Sequence, residues 1–390
     1  EIMKKSPYNK AVKWLSAAHF TTDTYSGFLH PVMPFIAAKI GISMGVAALL
    51  MSLSQLFSQL LQPIFGFFAD NIAKRSFIFW GLVFATVFFP LTGIAHNVYT
   101  LGLFIILGSL GVSVFHPQSI GFVIRFTRKD FTKNMGLFLS LGSIGYSFGP
   151  LLSAAITQYL SLEKMPLLIL VGIVLALLMF VCVPKISDRD KIESSKKDIV
   201  AVFKTILTNK QVLILILISI MKALISSSCT ILLPFLWKAN GHDPMYIGMA
   251  LFWFMFAGGI GSLVSPKVEE IVGTRKIIYI SMLSMPVLMC IFVFFNAKFP
   301  IFALIDFVLM AFILMLATPI TMVLAQKELP QYKSIIGGFL NGFCWGVVGV
   351  LLSGMGFMAQ KFGILQMLFI AGFIPAFSAY FVKYLNIEEK

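Results

Sequence analysis

Six ionisable side chains stand well inside long apolar runs of this sequence: His19, Asp23, His30, His116, Lys222 and Asp306. Each costs roughly 3 kcal/mol in hydrocarbon unless it faces a cavity or a partner, so each marks a place where a proton, an ion or a polar solute is handled. His19, Asp23, Ser26 and His30 lie at offsets of 4, 7 and 11 residues, which is one stripe at about 100° per residue. Counting about 1.5 Å per residue from the end of the apolar run places Asp23 roughly 15 Å deep, and Lys222 comes out at nearly the same depth. The chemistry expected of the stripe is proton transfer. Asp23 is the expected carrier, with His19 or His116 assisting, because histidine titrates near neutral pH.

A second set of polar residues has the character of a binding surface. Tyr25 and His30 share the first span with Asp23, and Gln55, Gln59 and Gln62 follow Ser52 at offsets of 3, 7 and 10 on the second. Lys222 has Ser219 and Ser226 on its own face, and Asn341 and Trp345 stand one turn apart. These are the expected substrate contacts, with Lys222 attracting an anionic group and facing Asp23 across a cavity. Asp306 is expected nearer the outer surface. No metal site is expected, since carboxylates or thiols would have to converge and the histidines are scattered along the chain. Cys182, Cys229, Cys290 and Cys344 have neither zinc-ligand nor disulfide spacing.

The elements that must hold these residues follow from composition. Of 390 residues 58% are hydrophobic, with 40 Phe and 20 Met, and the mean hydropathy is +0.93. That is well beyond a soluble domain. Runs long enough to span a bilayer recur throughout, at about residues 12–39, 44–69, 76–95, 99–124, 134–160, 164–184, 211–238, 245–268, 276–297, 299–325, 334–360 and 363–385. Twelve spans put both ends on one side. That side carries Lys74, Arg75, Arg125, Arg275 and the seven basic residues between Pro184 and Gln211, against Lys39, Lys164, Lys238, Lys298 and Lys361 on the other. Basic residues stay cytoplasmic, so both termini are expected there. The net charge of +14 is a topology signal with some attraction to anionic lipid, not a nucleic-acid footprint. Without a cleavage site after its apolar run, the first span is expected as a retained helix.

The two halves repeat one plan. A shift of 200 residues lays Pro34-Phe35 on Pro234-Phe235, Gly41 on Gly241, Asp70 on Glu270 and Arg75 on Arg275; a shift of 202 lays Pro117 on Pro319 and Gly136 on Gly338. This predicts an all-α membrane protein of twelve transmembrane helices in two pseudo-symmetric six-helix bundles, 1–184 and 211–390, joined by a cytoplasmic linker, 185–210, with a substrate site between the halves. The loop GFFADNIAKRS, with Gly66, Asp70, Lys74 and Arg75, resembles the signature loop of the major facilitator superfamily, although Ala73 stands where that signature has Gly. The resemblance implies a gating latch in which Asp70 and Glu270 pair with the basic groups near them. GSIGYSFGPLLSAA resembles the glycine-proline motif of that superfamily's antiporters, with Gly145, Gly149 and Pro150 in place.

HFTTDTYSGFLHPVMP and VFHPQS look like the fosmidomycin-resistance branch of the same superfamily. That resemblance covers most of the first half and thins beyond Pro184. It implies proton-driven export of small, anionic or amphiphilic compounds. Two features depart from it. Gln118 stands where that branch often has an acidic residue, and the fourth span lacks the arginine of many facilitator antiporters. The expected function is a proton-coupled antiporter of the inner membrane that exports a small organic solute by alternating access. Its partners are that solute, protons and the bilayer, with no cofactor, no nucleic acid and no second subunit. Import by symport and export of a metal-chelating compound are the alternatives. An intramembrane enzyme is disfavoured, because neither His-Glu-x-x-His nor Gly-x-Ser-x-Gly occurs.

Overall fold

Backbone amides have no water to bond in hydrocarbon, and helices satisfy them internally. In the computed structural model, which describes residues 7–71, 74–127, 131–185 and 199–387, the described elements are all helical. In chain order they are α1 (Pro7–Ser26), α2 (Leu29–Ile40), α3 (Met44–Gln55), α4 (Gln62–Asn71), α5 (Arg75–Leu91), α6 (Val98–Phe126), α7 (Phe131–Tyr159) and α8 (Leu168–Cys182). The short α9 (Ile199–Thr208) precedes α10 (Lys210–Ala239), α11 (Pro244–Val272), α12 (Thr274–Phe295), α13 (Pro300–Glu328), α14 (Lys333–Gly338), α15 (Cys344–Phe362) and α16 (Ile364–Val382).

Among the described residues ten helices are long and apolar enough to cross a membrane. The two expected spans missing from that set are the interrupted ones. Residues 12–39 are divided between α1 and α2, and residues 334–360 between α14 and α15 with a π-helical turn, Phe339–Phe343, between them. A second π turn, Leu56–Leu60, interrupts the second span between α3 and α4. It spoils the predicted glutamine stripe, because a π turn holds an extra residue and rotates the rest of the helix by about 100°.

The α1–α2 break also corrects the predicted polar stripe. Pro31 has no amide hydrogen to give the Gly27 carbonyl, which His30 Nδ1 approaches instead at 3.4 Å. The first helix therefore ends at Ser26 and the second begins at Leu29, so His19 and Asp23 stand on α1 and His30 on α2. Gly27 is needed at the break: a Cβ there would lie 2.9 Å from the Tyr146 carbonyl oxygen.

Contacts divide the chain into two compact units. One comprises Glu1–Ile42, Leu53–Ser195 and Asp243–Gly248, the other Ser43–Ser52, Lys196–His242 and Met249–Lys390. In the first, α1 packs against α5, α6, α7 and α8 around Leu15, Leu82, Phe115, Phe122 and Phe138, all fully buried. In the second, α10 packs against α13, α15 and α16.

The duplication is legible in the backbone. Gly41 and Gly241 close α2 and α10 with φ of 71° and 85°, a conformation that glycine reaches without penalty. Arg75 donates to the carbonyls of Phe180 and Val183 at the end of α8, both at 2.9 Å, and its guanidinium lies 4.3 Å from the Phe180 ring centre. Arg275 donates to Val382 and Leu385 at the end of α16, at 2.8 and 3.0 Å. Each arginine thus caps the last helix of its own half, where carbonyls lack partners and a positive charge is favoured.

Candidate functional site

Helix α1 packs against α6 and α7. His19 and Asp23, one turn apart, face His116 of α6. His19 Nε2 stands 3.1 Å from Asp23 Oδ2, and His116 Nε2 stands 3.1 Å from Asp23 Oδ1. The two imidazoles meet edge to face with centroids 5.0 Å apart. The site is nearly closed to solvent, with side-chain exposures of 5% for His19, 15% for Asp23 and 16% for His116.

The far side of each ring fixes its protonation. His19 Nδ1 lies 2.9 Å from the Phe138 carbonyl oxygen, and His116 Nδ1 lies 2.9 Å from that of Val112. A carbonyl oxygen only accepts, so both Nδ1 atoms carry hydrogen and donate it. A neutral imidazole then has only a lone pair left at Nε2, which would repel the carboxylate. Each Nε2–oxygen contact therefore needs a proton of its own, and the cluster in this arrangement holds two, balanced in part by one carboxylate charge. Removing one opens one contact.

Two residues that build this site were not singled out in the sequence. Phe138 stacks on His19 with centroids 4.1 Å apart while its carbonyl takes the Nδ1 hydrogen. Gly142 makes the room: a Cβ there would fall 2.3 Å from His19 Cε1. Their signal was the spacing from Phe138 to Gly142, one turn of α7 on the face that also presents Gly145 and Gly149. A Cβ at Gly145 would lie 2.2 Å from the Phe20 carbonyl oxygen, and one at Gly149 would lie 2.3 Å from that of Thr24. These glycines, with Pro150 beside Gly27, seat α7 against α1 within one unit.

Histidine and carboxylate together could also hold a metal, and the ligand atoms of His19, Asp23 and His116 all lie within 4.8 Å of one another. The histidines expected to be scattered thus converge here, and each imidazole takes a different carboxylate oxygen.

The remaining predicted contacts are dispersed. The Tyr25 hydroxyl donates to the Leu168 carbonyl and its ring stacks on Phe28, 4.7 Å between centroids; it is a packed core residue. His30 Nε2 lies 3.5 Å from the Tyr146 hydroxyl. Gln62 donates to the Ser58 carbonyl at 2.8 Å and to Gln59 Oε1 at 2.9 Å, so these two amides bond locally. Gln55 is partly buried on α3, and Gly66 lies against Pro117, 3.6 Å from a built Cβ. Lys74 and Glu270 are exposed. The side chains of Asp70 and Asn341 lie outside the described residues.

In the other unit Lys222 is 3% exposed and donates to the hydroxyl of Thr318 on α13. It lines a recess with Ser219, Thr321, Met322, Leu340 and Trp345. Ser226, one turn along α10, is buried and does not line it. Asp306, in the second turn of α13, is 7% exposed, and its Oδ2 has no hydrogen-bond partner among the described residues.

A family model described as Major Facilitator Superfamily matches residues 15–354. The chain is 24% identical over 369 residues to the fosmidomycin resistance protein of Escherichia coli (strain K12), covering 93% of this chain and 89% of that one. It is 29% identical over 136 residues to multidrug resistance protein MdtH of Cronobacter sakazakii, a third (33%) of each chain. Among solved structures it resembles the nucleoside transporter NupG, with a TM-score of 0.76 at 12% identity over 96% of this chain and 98% of that one. It also resembles a bacterial homolog of the human lysosomal transporter Spinster in an inward-facing, occupied conformation, with a TM-score of 0.75 at 14% identity over 97% of both chains.

Proposed function

This chain belongs to the Major Facilitator Superfamily and is a multi-pass membrane transporter rather than an enzyme, and from that premise we propose that it exports a small organic solute from the cell in exchange for protons. The observation that carries the proposal is the His19–Asp23–His116 cluster, with both outer ring nitrogens committed to backbone carbonyls and both inner ones aimed at one carboxylate. Such a cluster must gain or lose protons to change shape. Coupling needs that property, because a proton taken up on one side of the membrane and released on the other drives alternating access. Export is supported by the names of the relatives, both resistance proteins. We place the transporter in the inner membrane as a monomer, with both termini cytoplasmic, in two bundles of residues 1–184 and 211–390 and with 185–210 as the linker.

The experiment uses everted membrane vesicles containing the full chain and a panel of efflux compounds headed by fosmidomycin, the drug named by the relative. With the vesicle interior made acid, a panel compound accumulates inside. Asp23→Asn still exchanges that compound between the two sides but no longer responds to the gradient. Movement of solute outward with the protons would establish import by symport, and a pH response that survives in Asp23→Asn would remove the cluster from the mechanism.

A further inference from the structure

Lys222 raises a question of charge that its own surroundings leave open. It is a lysine buried to 3% exposure in the middle of a 30-residue helix, and among the described residues no carboxylate pairs with it. Asp306, on the facing helix, is twelve residues before Thr318, about 18 Å along the helix at 1.5 Å per residue. The Cys344 thiol donates to the Ile216 carbonyl, 3.8 Å away, and is therefore a neutral thiol. A buried ammonium without a counter-charge is costly, and its cost disappears when an anion arrives.

The polar groups around it sort by hydrogen-bonding sense. Of the three N–H groups of Lys222, one goes to Thr318, leaving two. Thr318 turns its own hydrogen toward Met315 Sδ, 3.5 Å away, and Thr321 donates to the Ala317 carbonyl at 3.0 Å. Ser219 and Trp345, which line the same recess, make no other hydrogen bond among the described residues. The unspent donors are thus two ammonium hydrogens, one serine hydroxyl and one indole N–H. Donors without acceptors, gathered on a positive charge, fit an oxyanion. Trp345, Met322 and Leu340 offer an apolar wall to whatever the oxyanion is attached to.

We propose that this recess binds the carboxylate of a small organic acid bearing an apolar or aromatic body, so that the solute carried is an organic monoanion. The proposal rests on the transporter reading above for its physiological meaning. Binding itself is testable without transport.

The test uses the full chain purified in detergent, with benzoate as probe and benzamide as its uncharged counterpart of nearly the same shape, read by thermal unfolding and by Trp fluorescence. Benzoate is expected to raise the unfolding temperature and to change the fluorescence, and benzamide to do neither. In Lys222→Gln the benzoate response falls at least tenfold in apparent affinity; Lys222→Arg keeps most of it, and Trp345→Phe removes the fluorescence change while keeping the thermal one. Benzoate binding needs no transport, so a parent chain that binds benzoate but shows no pH-driven transport counts against the proton reading and not against this one. Lys222→Gln also reports on its own folding, since loss of an unpaired buried charge leaves the probe-free protein at least as stable as the parent. An equal response to benzoate and benzamide, no response to benzoate in the parent, or a full response in Lys222→Gln overturns the proposal.

Discussion

Replacing Asp23 with Asn keeps the shape of the cluster and removes its charge, and the size of the effect follows from the hydrogens. In the parent each of the two 3.1 Å contacts between Nε2 and a carboxylate oxygen requires a proton, because both Nδ1 hydrogens are already given to Phe138 and Val112. A cycle that empties and refills the cluster therefore moves two protons. With the membrane potential clamped, each contributes about 1.4 kcal/mol per pH unit. Two give about 2.7 kcal/mol, or roughly a 100-fold change in the steady accumulation ratio for each unit of pH gradient. An asparagine amide donates to one bare Nε2 and leaves the second ring, whose Nδ1 hydrogen is also committed, neutral and unbonded at Nε2, so one contact survives and no proton is cycled. The assay is the accumulation ratio of a transported panel compound in proteoliposomes, with potassium and valinomycin fixing the potential, at several pH gradients. The parent should follow a slope of two decades per pH unit, and Asp23→Asn should be flat while still catalysing counterflow. A parent slope carried over unchanged into Asp23→Asn refutes the reasoning.

Other expectations come from the same geometry. Gly142→Ala puts a methyl 2.3 Å from the His19 ring, so the ring must turn away and the pH response should fall to that of Asp23→Asn; Gly136→Ala, with nothing within 4 Å, should transport like the parent. Arg75→Gln and Arg275→Gln each lose two hydrogen bonds to helix-end carbonyls, at a cost of about 2 kcal/mol, and should lower the thermal midpoint; an unchanged midpoint with abolished transport would restore the gating latch in place of the cap. At the opposite helix ends, Lys39 meets Glu163 at 2.8 Å, and this hydrogen bond holds the Glu163 carboxyl below its usual range. A depressed carboxyl stabilises the fold above its unfolded pKa and stops doing so as pH falls through the folded one. With Glu163 53% exposed the pair is worth a few tenths of a kcal/mol, so Glu163→Gln should shift the thermal midpoint little at pH 7 and less still as pH falls through the lowered folded pKa.

Hydropathy and charge carried the architecture in the sequence, since only helices of about 20 apolar residues solve the bilayer problem, and α5, α6, α8, α10 and α12 lie along the predicted spans. The π turns at Leu56–Leu60 and Phe339–Phe343 had no such signal, because one added residue per turn leaves composition unchanged. His19 and Asp23 were legible as neighbours on one helix. His116 was expected to assist them because of its chemistry and not because of its spacing, since periodicity describes one helix and this contact is between two. The sequence reading ran one helix through Gly27, whereas Pro31 divides it into α1 and α2. The arginines were conspicuous as charges, but what they cap became visible only when the ends of α8 and α16 came beside them.

The protonation pattern of the two cluster histidines is the most direct test, and it needs no substrate. Nitrogen-15 NMR of the full chain labelled at histidine, with His19→Gln and His116→Gln to assign the signals, reads which ring nitrogen carries hydrogen as pH rises. The account predicts that the neutral form of each ring carries its hydrogen at Nδ1, the form dictated by the Phe138 and Val112 carbonyls. Neutral rings protonated at Nε2 across the working pH range would contradict it.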